Sequence, residues 1–216
     1  MIGLSLALGI FTCRSLGNSL AETLDRVAAS VDNRAITESD VKTEYRLEQF
    51  TDGHMPGEPP DTAAWNQARD RLIDQDLLSE EMEKSNLQAA SPVQLERELD
   101  RVHEKFPNEQ AFNAALKSVG MNREQILERF ERRDRILRLI EQRLRPDAWV
   151  DRGDIETYYQ KTFVPEFTQR HLGTAPPLDD VEDQIREILT QKKIDQLLQE
   201  WLQELRSSHQ VEIHSF

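Results

Sequence analysis

Cysteine occurs once in the 216 residues, at Cys13. No intramolecular disulfide can therefore close, and a cysteine-based structural zinc site is excluded. Glycine (8) and proline (9) are sparse, which argues for long helices and against a many-turned β protein. Basic side chains are outnumbered, 27 against 40 acidic ones, leaving a formal net charge of −13. A general nucleic-acid binder needs a basic surface to displace counterions from phosphates, and this balance argues against one. No glycine-rich loop could cradle a phosphate, and no Gly-x-Ser-x-Gly elbow is present. The five histidines (His54, His103, His171, His209 and His214) include no pair at the i, i+4 spacing of a helical metal site. They read as ordinary surface histidines. These observations assign no catalytic residue, no metal ligand and no cofactor. The length is enough to bury a real core in one domain, with room for a small appendage.

The one long apolar run is Ile2 to Phe11, IGLSLALGIF. It is short of the roughly 20 residues a membrane-spanning helix needs and has the length of a signal-peptide core. Ser19-Leu20-Ala21 supplies small residues at the two positions a signal peptidase reads, although no Lys or Arg precedes the run. Residues 1–21 are thus expected to be a cleavable export signal that removes Cys13 and leaves no stable membrane insertion. A retained anchor, a buried helix and lipidation at Cys13 are the alternatives.

Downstream, RVAASVD (Arg26 to Asp32) alternates as a half-buried strand, with Val27, Ala29 and Val31 on one face. Asp32-Asn33-Arg34 forms a turn, and Thr37 caps a helix with Asp40 returning its carboxylate three residues on. That helix runs to about Phe50, and a Gly- and Pro-rich loop follows to Asp61. Further helices are expected from Thr62 to about Ser85, from Ser91-Pro92 onward, and from Asn108 to a stop at Gly120. Another runs from the cap Asn122 to Pro146. Asp151 to Phe163 reads as a short helix, and Val164 to Pro177, with three prolines and a glycine, as a break. The last helix runs from Leu178 to Ser208, and Val211 and Ile213 make a short final strand. The first and last strands have no other partner in the sequence and are expected to pair.

Two charge clusters have bland readings. Asp179, Asp180, Glu182 and Asp183 crowd a helix start, where carboxylates oppose the positive end of the helix dipole. The helix from Asn122 to Arg145 carries eight arginines interleaved with five acids, as on a solvated, salt-bridged face.

The ordered set RVAASVDNRAITESDV, RLIDQDLLSEEMEKSNL, EQAFNAALKSVGMNREQILERF, DIETYYQKTF and IREILTQKKIDQLLQEWLQELRSSHQVEI resembles the SurA-type periplasmic chaperones and their parvulin-containing relatives. The resemblance implies a mostly α, multi-helix chaperone core with a small two-stranded sheet joining the chain ends. Residues 22–163 would form its N-terminal part and 178–216 its C-terminal helix and strand. Residues 164–177 would be the linker that holds a parvulin domain in the enzyme members. Fourteen residues cannot hold a domain of about a hundred, and the parvulin glycine-rich strand and paired histidines are absent.

The resemblance therefore implies an ATP-independent periplasmic holdase for unfolded outer-membrane proteins, and no enzyme. A scaffold subunit with one dedicated envelope partner is the alternative, and a prolyl isomerase is a weaker one. Tyr158, Tyr159, Phe163 and Phe167, beside the short junction, are the candidate client contacts; otherwise they simply pack that junction.

Overall fold

The computed structural model describes residues 25–85, 87–170 and 173–214. The expected signal peptide, Cys13 and His171 lie outside them. Three strands, β1 (Val27–Val31), β2 (Arg34–Thr37) and β3 (Val211–Ile213), form an antiparallel sheet in the order β2-β1-β3. Around it lie α1 (Glu38–Thr51), α2 (Thr62–Glu83), α3 (Pro92–His103), α4 (Glu109–Val119) and α5 (Arg123–Leu144). They are followed by α6 (Arg152–Tyr158), α7 (Val164–Arg170) and α8 (Leu178–Ser208). The fold is mostly α, as expected.

The ends of the chain do pair: Ala29 faces Ile213, Ser30 faces Glu212 and Val31 faces Val211. The sheet has a third strand, however, where two were expected. Arg34–Thr37 folds back on β1 through the two-residue turn Asp32-Asn33, with Asp32 at φ 50°. The strict alternation read in β1 also fails at its start. The register slips between Val27 and Ala29, a bulge that turns Ala28 into the core and leaves Val27 exposed.

Helix starts follow their capping chemistry. Thr37–Asp40, Ser91–Gln94 and Asn122–Gln125 are reciprocal capping boxes, and Gly120 closes α4 at φ 82°. A central cluster joins the sheet to α2, the C-terminal half of α5 and α8, through Ile73, Leu77, Ile140, Ile194 and Trp201. A second, aromatic cluster of Phe50, Phe106, Phe112 and Phe130 joins α1, α3, α4 and the start of α5. The third and smallest, Val150, Ile155, Val181 and Ile185, holds α6 to the first turns of α8.

The helix beginning after Asp151 does not stop at Phe163. Residues Tyr159–Phe163 form a π-helical turn, and the Val164 N–H donates to Tyr159 O, five residues back. The chain then runs on as α7 through Pro165. Proline inside an α-helix lacks a donor and crowds the carbonyl four residues before it. The wider π turn, immediately upstream, shifts the hydrogen-bond register there. The segment read as a linker from Val164 is therefore helical to Arg170, and the passage to α8 is correspondingly shorter.

Candidate functional site

Of the four aromatic residues singled out in the sequence, Tyr158 ends α6, Tyr159 and Phe163 bound the π turn and Phe167 lies on α7, and all are half-buried. They do not form one surface. Tyr159, Phe163 and Phe167 recur every four residues and stack in a row, with ring centroids 5.8 and 5.9 Å apart and interplanar angles of 19° and 28°. The Tyr159 hydroxyl donates to Pro176 O at 2.8 Å, fastening the returning passage onto the row. Part of the row therefore packs the junction: Tyr159 and Phe163 border the Val150–Ile155–Val181–Ile185 cluster. Tyr158 borders the same cluster but stands outside the row, and Lys192 Nζ on α8 sits 4.6 Å from its ring centroid.

Tyr158 lines an open pocket of about 450 Å³ between α6, the π turn and α8. Sequence reasoning missed its other principal walls, Trp149, Lys161, Lys192 and Lys193. Trp149 is 75% exposed, between Ala148 at 3% and Val150 at 7%. Ala148 and Val150 are both buried on either side of it, and the indole is left facing outward. That in-out-in pattern after Pro146 was the available signal. The lysines come from two elements, Lys161 from the π turn and Lys192 and Lys193 from α8, so only the fold unites them.

The charge clusters are used as structure. Asp179 and Asp180 lie in the first turn of α8, and Glu182 pairs with Arg186 at 2.5 Å. On α5, Arg123 pairs with Glu96, Arg133 with Glu98, Arg138 with Asp134 at 2.7 Å, and Arg145 with both Glu141 and Glu187. Those two carboxylates raise the Arg145 guanidinium further, and Arg145 in turn holds Glu187 below the usual carboxylate range. A groove of about 250 Å³ beside this helix is lined by the buried residues Glu44, Leu47, Phe130 and Ile136 and by the more accessible Arg71 and Arg129. Burial raises the Asp76 carboxyl against the opposing pull of Arg34, Arg132 and Arg129.

His209 is not an isolated surface histidine. Its Nδ1 lies 2.7 Å from Asp32 Oδ2, while the Gln210 N–H donates to Asp32 Oδ1 at 2.8 Å. These contacts hold the Asp32 carboxyl below its ordinary value, the His209 hydrogen bond most of all. Asp32, His209 and Glu80 offer ligand atoms within 4.8 Å of one another. Arg34 already stands 3.7 Å from Glu80, and both Asp32 oxygens are occupied, so the group works as a latch between the β1–β2 turn and β3.

A family model for the SurA-like N-terminal domain matches residues 1–139. The chain belongs to the SurA-like N-terminal domain family. The match spans the sheet hairpin, α1 to α4 and most of α5, and stops before the aromatic–lysine pocket. In this SurA-like chain the pocket is thus built from the C-terminal third, packed against the family's helical body. Comparison with curated proteins gives no match. Among the described residues, no helix is long and apolar enough to cross a membrane.

Proposed function

We propose that this chain is an ATP-independent holdase that binds unfolded exported polypeptides, outer-membrane proteins among them, in the periplasm. The observation that carries this reading is the open concavity at the α6–α8 junction, lined by exposed Trp149 and half-buried Tyr158 and set on a SurA-like helical body. An unfolded chain offers short apolar segments and free backbone groups. A shallow site lined by Trp149 and Tyr158 can cover such segments one at a time without specifying a sequence. The net charge of −13 keeps the loaded carrier soluble and away from anionic membranes.

The chain is further proposed to act without prolyl isomerase chemistry. The short passage from Arg170 to Leu178, where its relatives would carry a parvulin domain of about a hundred residues, supports this. The decisive experiment follows light scattering of a urea-unfolded β-barrel protein after dilution. Equimolar chain is expected to slow aggregation clearly. Unchanged aggregation at several-fold excess would refute the holdase, and a proline-peptide isomerisation rate above background would refute the non-enzymatic reading.

A further inference from the structure

The pocket behind Trp149 carries a charge opposite to that of the molecule. Three lysines, Lys161, Lys192 and Lys193, face it, against a single carboxylate, Asp154. Ion pairs are abundant elsewhere on this surface. Arg152 is taken by Glu156 at 3.1 Å, Arg170 by Glu166 at 3.8 Å and Arg186 by Glu182 at 2.5 Å. None of the three lysines has a carboxylate within ion-pair distance among the described residues, and Lys192 instead lies over the Tyr158 ring. In a chain of net charge −13 with acids available on both helices, three unpaired cations around one concavity form a local field for an anion.

The apolar part of the pocket is equally specific. Trp149, 75% exposed, stands at the mouth on a backbone pinned by buried Ala148 and Val150, so its indole is presented without a large ordering cost on binding. Tyr158 and Leu189 form the wall behind it. A volume of about 450 Å³ accommodates one or two side chains, not a folded surface. An anionic membrane would meet the repulsion of the whole acidic molecule before reaching this one concavity. A short flexible segment would meet only the local field.

We propose that this pocket selects client segments in which an aromatic or large apolar side chain lies next to an Asp or Glu. The ring stacks against Trp149 and the carboxylate is held by Lys161 and Lys193. This inference rests on the chaperone reading and adds to it a preference for acidic–aromatic segments.

The test uses the full chain and two fluorescein-labelled unstructured peptides of equal length and identical aromatic content. One carries Asp and Glu beside each aromatic residue, and the other carries Asn and Gln in the same places. Anisotropy titrations are expected to give the acidic peptide a Kd lower by about fivefold, the size of one or two exposed charge pairs, with the gap closing as salt is raised. The double variant Lys161→Gln/Lys193→Gln should erase the gap, bringing the acidic peptide's Kd to that of the neutral one. Trp149→Ala should weaken both peptides. Equal affinities in the unmodified chain, with aggregation suppression intact, would overturn the selectivity and leave the chaperone standing. Lysine-dependent binding to phosphatidylglycerol vesicles with no acid preference among peptides would overturn it in favour of lipid headgroups. Failure of both peptides together with failure to suppress aggregation would remove the chaperone reading itself.

Discussion

Single residues decide conformation here where the backbone has no alternative. Gly53 follows α1 at φ 83°, and a Cβ placed on it would lie 2.6 Å from the Lys105 Cβ. Both the left-handed backbone and the close approach exclude other residues. Gly53→Ala is expected to destabilise the fold by about 1–3 kcal/mol, measured by urea unfolding, because strain and contact add. The Asp32 carboxyl provides a pH-dependent case. Its folded value lies below the ordinary 3.8 because the ionised form accepts from His209 and Gln210. The latch's contribution is therefore complete above the unfolded value and is lost as pH falls through the lower, folded one. An NMR titration from about pH 5 to about pH 2 should show the Gln210 and Val211 amides shifting together with the Asp32 carboxylate. Asp32→Ala should remove that step. Capping residues, a glycine stop and helix-start acids could be read from sequence because each acts within four positions of itself. The latch could not, since Asp32 and His209 are 177 positions apart.

At the scale of elements, the α6–π–α7 run shows where local patterns mislead. Pro165 and the glycine and prolines after it argue for a break at Val164, yet the helix continues because the π turn changes the hydrogen-bond register one step earlier. Nothing in YQKTF announces a five-residue hydrogen-bond step, although Tyr159, Phe163 and Phe167 stack in one row along it. The candidate aromatic residues were recognisable by type and position, but their division of labour was not. Three stack along the helix while Tyr158 alone joins Trp149 and the lysines. The Tyr159 hydroxyl bond to Pro176 O is the tie between this row and the passage into α8. Tyr159→Phe keeps the ring and removes only that tie. A stability loss of about 0.5–1.5 kcal/mol is expected, together with faster hydrogen exchange confined to residues 173–175. Uniform loosening of α6 would show instead that the ring, not the hydroxyl, holds the junction.

At the scale of the whole molecule, the decisive feature is that the two ends of the described chain meet. The β3 strand lies on β1, with Asp32 N–H donating to Gln210 O at 2.8 Å and His214 N–H donating to Ala28 O at 3.1 Å. This pairing sets where α8 arrives. Trp201 and Leu205 enter the central cluster, and Arg206 bonds Asp74 at 2.5 Å, which offsets part of the burial that raises the Asp74 carboxyl. The pocket depends on the same placement, because Lys192 and Lys193 sit on α8 while Lys161 and Trp149 do not. Ending the chain at Ser208 deletes the strand, its backbone bonds and both latch partners, His209 and Gln210. The expected cost is roughly 2–4 kcal/mol, from a few backbone bonds at about 1 kcal/mol each. The loss should not be spread evenly. The aromatic cluster of Phe50, Phe112 and Phe130 makes no use of β3 and should keep its exchange protection, whereas amides near Trp201 and Leu205 should lose theirs. If the truncated chain also binds the acidic peptide less tightly while the neutral peptide is unaffected, the closure of the chain ends sets the spacing of the lysines. Unchanged affinity would mean that the Val150–Ile155–Val181–Ile185 cluster holds the pocket by itself.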